Sequence, residues 1–238
     1  MPDSRQRILS RIRDSLGTTR ASLEAQAAAY PPPHGYGPFI TTELDPVEQF
    51  RAELSALHAH VHLCDGPDAA IAQVLEIMQL SGAREFMAWQ TDELPLPALP
   101  QRLADAGMRA VDPQVRANDR RARYAELEPV TAGITGVHAA VAESGSMILL
   151  HGAGRPRLAS LLPPVHIALL PAERIVRTLP EAFDRLRAEH GRDPFRDRSN
   201  LVVITGPSRT ADIELSLTLG VHGPRDVHAV VIRPSAQP

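Results

Sequence analysis

Short apolar runs alternate with amphipathic stretches along most of this chain, and the alternation predicts its architecture. The apolar runs have the length and the bounding turn residues of buried strands, and they lie at residues 86–89, 130–134, 146–150, 166–170, 201–205 and 227–232. Helical spacing of apolar residues predicts helices at 67–80, 99–106, 137–142, 173–189 and 211–219. Such an order of strands and helices predicts an α/β fold, in which helices cover a mostly parallel sheet.

The first 44 residues differ from the rest and predict a separate N-terminal helical arm. Residues 4–16 have the apolar spacing of a short helix. Residues 18–44 are rich in alanine and proline, which is typical of an irregular linker. A capped helix begins at Asp45-Pro46, so we expect the α/β domain to span residues 45–238.

Charge and hydropathy argue against several classes of partner. The formal net charge is −3, which provides no electrostatic attraction to nucleic acid or to an anionic membrane surface. No apolar run approaches the roughly 20 residues that a membrane span requires. The N-terminus lacks the apolar core of a secretory signal, and we therefore expect a cytoplasmic location.

Cysteine and lysine usage limits the chemistry of the chain. Cys64 is the single cysteine, so the chain alone cannot supply a four-cysteine iron–sulfur site. The absence of lysine excludes Schiff-base catalysis through lysine and a P-loop lysine. His58, His60 and His62 alternate towards Cys64 along a predicted strand, but that spacing separates ligands by about 6.5–7 Å, so we predict no metal site.

Two loops with glycines follow predicted strands in the middle of the chain, where the ligands of such sheets bind. Thr135 and Gly136 follow the first strand, and we expect their backbone N–H groups and the hydroxyl to face an anion. The alternative is a plain turn between a strand and a helix. Arg155 follows Gly152 and Gly154 and presents a guanidinium fork to a carboxylate or phosphate, or forms a surface ion pair.

A third loop follows the strand at 201–205 and opens the predicted helix at 211–219. Ser208 and Thr210 can cap this helix or bind a ligand, Arg209 adds a positive charge, and Asp212 lies in the first turn. His222 lies between glycines in the following loop, where it is a candidate acid or base or a structural histidine.

Glu143 is the sharpest single candidate for chemistry. It stands between a predicted apolar helix and a buried strand and is followed by Ser-Gly. A carboxylate in such a place can act as a nucleophile or a proton carrier. The alternative is a structural pairing with Arg155, with Arg209 or with backbone N–H groups. We expect the three loops to gather around Glu143 at one edge of the sheet.

Several motifs resemble the lactate utilization protein C family, in the order in which that family has them. They cover about residues 45–233 and are densest after Val130. The family's Glu-Thr-Gly-Thr is present here as Glu143-Ser-Gly-Ser146, which keeps both hydroxyls. The remaining motifs are Gly133-Ile-Thr, Gly154-Arg-Pro-Arg, Ser160-Leu-Leu-Pro-Pro-Val-His-Ile, Gly206-Pro-Ser-Arg-Thr-Ala-Asp-Ile-Glu and Gly220-Val-His-Gly-Pro.

The resemblance implies a fold similar to the sugar isomerase, CoA-transferase and formyltetrahydrofolate cyclo-ligase group. It also implies membership in a three-protein system that oxidises L-lactate to pyruvate, in which cysteine-rich and ferredoxin-like partners carry the iron–sulfur clusters. This chain would bind no cofactor itself and would take a small organic acid. The alternatives are a stand-alone small-acid binding protein, regulatory or not, and an enzyme that uses Glu143 as CoA-transferases use a glutamate close to a glycine.

Overall fold

The computed structural model describes residues 4–29, 44–115, 120–191, 198–211, 217–219 and 222–235. Contacts divide the chain into two compact units, residues 1–41 and 42–238. The described part of the first unit is one helix, α1 (Ser4–Ala29), which continues well into the stretch for which the sequence predicts an irregular linker. The alanines of that stretch favour helix, and its prolines follow Ala29.

The second unit is built around a sheet of six parallel strands. Its order is β1-β12-β7-β4-β2-β3, and every neighbouring pair is parallel. The strands are β1 (His60–Asp65), β2 (Glu85–Ala88), β3 (Arg109–Ala110), β4 (Ala132–Gly136), β7 (Val165–Pro171) and β12 (Asp226–Arg233). The predicted α/β class with a mostly parallel sheet is thereby confirmed.

A second sheet of four strands has the order β8-β5-β6-β9. Its strands are β5 (Ala139–Val141), β6 (Ser146–Gly152), β8 (Ile175–Val176) and β9 (Arg198–Ile204). Strand β6 pairs antiparallel with both β5 and β9. The predicted helix at 137–142 is wrong, because these residues form β5 and the start of a 3-10 turn (Ala142–Ser144).

The described part of the second unit has six α-helices, one before β1 and the others between later strands in the chain. They are α2 (Pro46–Ala56), α3 (Pro67–Leu80), α4 (Leu99–Asp105), α5 (Arg120–Leu127), α6 (Leu158–Leu161) and α7 (Leu179–His190). The Asp45 side chain accepts a hydrogen bond from the Val47 N–H at 2.9 Å and caps α2, as the sequence predicts. Helix α7 begins later than predicted, because residues 172–176 form a 3-10 turn and β8.

A two-stranded antiparallel hairpin replaces the predicted helix at 211–219. It consists of β10 (Arg209–Ala211) and β11 (Leu217–Leu219), with the intervening residues outside the described part of the chain. The argument that a helix N-terminus at Ser208 to Thr210 attracts an anion is therefore wrong, since a strand begins there.

The side chains of β5 and β6 alternate between two apolar layers, as expected for strands buried on both faces. Ala140, Met147 and Leu149 join the main core, which also contains the parallel sheet. The intervening residues pack in a second cluster against α7, and they are Ala139, Val141, Ile148 and Leu150 with Ala182 and Leu186 of the helix.

Candidate functional site

Strands β2 and β4 are parallel neighbours in the sheet, but the connections that follow them run to opposite sides of the sheet. The next strand of that sheet after β2 is the edge strand β3, whereas the next after β4 is β7, on the other side. Such a reversal opens a crevice beyond the carboxyl ends, where ligands of open α/β sheets bind. A cavity of about 320 Å³ lies there, which we name the switch-point crevice. Its charged and polar lining residues are Glu93, His138, Glu173 and Arg174.

Ion pairs and hydrogen bonds fix the side chains around this crevice. Arg155 is buried and donates through Nη1 to the Glu93 carboxylate at 2.9 Å. Arg174 donates through Nη1 to the backbone carbonyl of His138 at 2.9 Å and forms an ion pair with Glu189 at 3.4 Å. Burial, followed by the neighbouring charge of Asp92, raises the pKa of Glu93, while Arg198 opposes the rise. The side chains that would bind a ligand here are thus largely paired with one another.

His138 is a neutral imidazole in the wall of the crevice. Burial, followed by the positive charge of Arg174, lowers its pKa to about 3. Its Nδ1 accepts a hydrogen bond from the Leu150 N–H at 3.2 Å, so the proton of the neutral ring is on Nε2. The ring lies 5.6 Å from that of Trp89, which is 3% exposed and also lines the crevice.

A larger cleft of about 970 Å³ also has Trp89 in its wall. Gly152 at the end of β6 and Gly154 in the following loop form part of its wall. The backbone N–H of Gln90 donates to the Gly154 carbonyl at 2.8 Å, so this glycine-containing loop rests directly on the loop after β2. Most of the remaining wall is apolar: Phe86, Ala88, Pro100, Ala104, Met108, Ala110, Val111, Pro113 and Pro156.

A third cavity of about 210 Å³ lies at the opposite, amino ends of β7 and β12. We name it the His166 pocket after the fully buried histidine in its wall. Its other polar side chains come from the loop before α6, from α6 itself, from the end of β9 and from the loops around β10 and β12: Arg157, Ser160, Thr205, Ser208 and His222.

Two buried hydrogen bonds lie beside the His166 pocket. Thr135 Oγ1 and His166 Nε2 are 2.9 Å apart, and both residues have no exposed surface. His151 Nε2 lies 3.2 Å from Ser160 Oγ, and its ring meets the edge of Trp89 with 5.8 Å between the ring centroids. Thr135 precedes Gly136 in the chain and Trp89 lines the crevice, so each contact leads from the His166 pocket to a residue in or next to the crevice wall.

The predicted ligand residues divide between the two ends of the parallel sheet. Gly136 lines the switch-point crevice, Thr135 precedes it in β4, and Arg155 is paired with Glu93 there. Ser208 and His222 line the His166 pocket, and the Ser208 N–H donates to the Pro224 carbonyl at 2.8 Å.

Three predicted ligand residues of the third loop remain, and the structure describes the side chain of one of them, Arg209. Arg209 donates through Nη2 to the backbone carbonyl of Leu57, which closes the chain against the end of α2. The side chain of Thr210 and all of Asp212 lie outside the described residues.

Glu143 lies apart from the loops at the carboxyl ends. Its Oε1 accepts a hydrogen bond from the Leu179 N–H at 2.9 Å, at the first turn of α7. Glu143 and Arg155 lie beyond opposite ends of β6, a strand of 7 residues that is about 20 Å long at 3.4 Å for each residue. Of the alternatives for Glu143, the structure therefore shows the structural pairing with a backbone N–H group. The expectation that all three loops surround Glu143 is wrong.

The serines that follow Glu143 are hydrogen-bonded to each other and to the residue after β9. The hydroxyls of Ser144 and Ser146 are 2.8 Å apart, and Ser146 Oγ lies 2.7 Å from Thr205 Oγ1. The Glu-Ser-Gly-Ser motif is thereby tied to the end of β9. Gly145 is required in this motif, because its φ is +62° and a Cβ atom would lie 2.5 Å from the Leu54 nitrogen.

Sequence reasoning did not predict His138, His166, Glu93 or Arg174 as parts of these cavities. A signal existed for the two histidines, since each interrupts a short apolar run without any neighbouring charge. Glu93 lies in a proline-rich loop and Arg174 in a charged stretch, and neither pattern distinguishes these residues from ordinary surface residues.

Comparison with known proteins identifies the family. A sequence model of the LUD domain matches residues 47–232, which is most of the chain. The chain belongs to the LUD domain family. A Macrococcus caseolyticus relative named Lactate utilization protein C is 30% identical over 197 residues, which cover 80% of this chain and 79% of that protein. An uncharacterized protein of Neisseria meningitidis serogroup B is 34% identical over 105 residues, which cover 44% of this chain and 43% of that protein.

A solved structure shares the LUD domain fold seen here. It is the crystal structure of a DUF162 family protein from Deinococcus radiodurans, and it matches with a TM-score of 0.55 at 24% sequence identity. The match covers 79% of this chain and 99% of that one. Within the described residues, no helix is long and apolar enough to cross a membrane, and no group of three or more His, Cys, Asp or Glu side chains is arranged to hold a metal ion.

Proposed function

We propose that this LUD domain protein is a component of an L-lactate utilization system and works with cysteine-rich and ferredoxin-like proteins that oxidise lactate to pyruvate. The supporting observation is the match to a Lactate utilization protein C over 80% of the chain. The chain has one cysteine, Cys64, which is buried, so it does not offer the four thiolates of an iron–sulfur cluster, and the proposal assigns the clusters to the partners.

The proposed role of the chain within this system is to bind a small organic acid. Support comes from two cavities of the size of small-molecule sites or smaller, whose walls hold polar side chains that are hydrogen-bonded to their neighbours. Buried side chains that are already hydrogen-bonded to one another form a preorganised site, which reduces the cost of binding.

Deletion of the gene in its native host tests the proposed function. We expect the deletion strain to lose growth on L-lactate as sole carbon source and to grow normally on glucose. The full-length gene, supplied on a plasmid, should restore growth on lactate. Normal growth of the deletion strain on L-lactate would contradict the proposal.

Co-purification tests the partner assignment separately. A tagged full-length chain, isolated from lactate-grown cells, should retain proteins whose absorption near 400 nm reports iron–sulfur clusters. The same preparation from a strain that lacks the cysteine-rich partner genes should be colourless. If no iron–sulfur protein is retained, the proposed complex is contradicted, whereas the proposed role in lactate utilization is not.

A further inference from the structure

The His166 pocket contains a nitrogen atom that requires a partner. His166 has no exposed surface, its Nε2 is hydrogen-bonded to Thr135, and its Nδ1 is buried without a hydrogen-bond partner in the described part of the chain. Burial of an unsatisfied polar atom costs roughly 1–3 kcal/mol. An oxygen atom of a bound molecule in the pocket would remove this cost.

The charge of the pocket favours an anion. Arg157 is exposed and brings a guanidinium to the rim, and no carboxylate is among the described residues that line the pocket. A guanidinium binds a carboxylate through two parallel hydrogen bonds. One guanidinium matches one negative charge, so the pocket suits a monocarboxylate better than a phosphate.

The remaining lining groups favour a ligand with a second oxygen. The Ser208 hydroxyl can either donate or accept a hydrogen bond, whereas the Ser160 and Thr205 hydroxyls already have partners, His151 and Ser146, and keep capacity for one further bond. The volume of about 210 Å³ admits a molecule of only a few heavy atoms. The switch-point crevice is less suited to an anion, because Glu93 and Glu173 both line it and its arginine is already paired.

We propose that the His166 pocket binds a small 2-hydroxy or 2-oxo monocarboxylate, whose carboxylate pairs with Arg157 and whose second oxygen contacts His166. This assignment rests on the proposed function for the choice of an organic acid and adds the site and the chemical class. The ligand binds at the amino ends of β7 and β12, opposite the edge where sheets of this type usually hold their ligands.

Titration calorimetry of the full-length protein tests the site. L-lactate and pyruvate should bind at millimolar affinity or better, and propionate, which lacks the second oxygen, should bind at least tenfold more weakly. Arg157→Gln should weaken lactate binding at least tenfold. The matched control is Arg187→Gln, which removes an exposed arginine on α7 that pairs with Asp184, and it should change the affinity less than twofold.

A spectroscopic measurement locates the second oxygen. In protein labelled with ¹⁵N-histidine, Thr135→Val identifies the signal of His166, because Thr135 is hydrogen-bonded to His166 Nε2. Addition of lactate to the wild-type protein should then shift the Nδ1 resonance of that histidine. Ser208→Ala should retain the fold and weaken binding of lactate. This variant tests the site even if substitution of the buried His166 prevents folding.

Three results would overturn the proposal. They are the absence of binding by the wild-type protein, binding that Arg157→Gln and Ser208→Ala leave unchanged, and tighter binding of inorganic phosphate than of any monocarboxylate. None of these results alters the growth phenotype of the deletion strain, so failure of the site and failure of the pathway role are distinguishable.

Discussion

The carboxylate of Glu143 holds the first turn of a helix, and this contact separates two hypotheses about the residue. Its Oε1 accepts from the Leu179 N–H at the start of α7, where Thr178 and Glu181 also cap the helix. A carboxylate in this position is favoured by the unpaired N–H groups and by the helix dipole. A glutamine can accept the same hydrogen bond but cannot act as a nucleophile.

We therefore expect Glu143→Gln to restore growth of the deletion strain on L-lactate to the wild-type level. Glu143→Ala removes the acceptor and should lower the free energy of unfolding by about 1 kcal/mol. Urea denaturation measures this loss. The control is Glu53→Ala, on the exposed side of α2, which should not lower the free energy of unfolding comparably. If Glu143→Gln is folded and abolishes growth, the carboxylate has a chemical role.

Buried neutral histidines make the fold sensitive to acid. Burial lowers the pKa of His138 and of His166 to about 3 and that of His228 to about 4, with smaller contributions from neighbouring positive charges. In the unfolded chain each imidazole titrates near 6.5. Between pH 6.5 and 4 the unfolded state therefore binds protons that the folded state does not, and stability falls as the pH falls.

The expected loss is about 1.4 kcal/mol per pH unit for each of these histidines. Urea denaturation at pH 7.5, 6.0 and 5.0 measures the slope. His228→Asn removes one of these groups and should reduce the slope, while the remaining buried histidines, including His62 and His151 with their lowered pKa values, keep part of it. A free energy of unfolding that is the same at pH 7.5 and pH 5.0 would show that these histidines are protonated in the folded protein.

Single residues could be predicted from the sequence as far as their own neighbourhood determines them. Asp45 caps its helix because the acceptor and the donor are two residues apart. The pairing of Thr135 with His166, or of Arg155 with Glu93, depends on which strands become neighbours. Nothing in the local pattern of residues encodes that choice.

At the level of elements, the contact between β4 and α6 tolerates no side chain. A Cβ atom on Gly133 would lie 1.7 Å from the Ala159 carbonyl oxygen, so Gly133→Ala forces the helix away from the sheet. We expect a loss of about 3 kcal/mol or more, and a thermal midpoint lower by at least about 6 °C. Differential scanning calorimetry of the purified variant measures this change.

The control for this substitution is Gly17→Ala in α1, where a Cβ atom meets nothing within 4 Å. It should leave the midpoint of the α/β unit unchanged. A folded Gly133→Ala variant with the wild-type midpoint would show that the backbone of α6 shifts at no cost.

Strands are described within two predicted helices, and the reasons differ. Residues 137–142 are short and apolar, and a short apolar run fits a helix or a buried strand equally well. Residues 211–219 alternate polar and apolar side chains strictly, which is the pattern of a strand, so the sequence itself favoured a strand there. In the structure, β5 forms hydrogen bonds with β6 on one side and β8 on the other, and β10 pairs with β11. The longer run at 67–80 shows helical spacing over several turns, and there the prediction is confirmed.

For the whole molecule, the division into two units leads to a truncation experiment. The unit of residues 42–238 contains the parallel sheet, the second sheet and both apolar clusters. A chain that begins at residue 42 should therefore fold with a thermal midpoint within about 2 °C of the full-length protein, since it keeps the whole core. Loss of cooperative unfolding in the truncated chain would show that the core depends on α1.

Fold class follows from the sequence because it depends on many elements at once. Individual errors at 137–142 and 211–219 did not alter the alternation of strands and helices that defines an α/β protein. Strand order does not follow in the same way, and the site depends on it. The crevice exists because β4 lies beside β2, and the His166 pocket because β12 lies beside β7.

The pairing of β1 with β12 has a consequence for synthesis of the protein. Among the described strands of the parallel sheet, β1 is the first to leave the ribosome, and its one neighbour, β12, is the last. The two strands pair in register from His60↔His228 to Asp65↔Arg233. At about 5–20 residues per second, β1 waits on the order of 10–30 s for this partner. During translation its edge is open to other nascent chains, and the polar His60 and His62 on that strand make it a poor template for them.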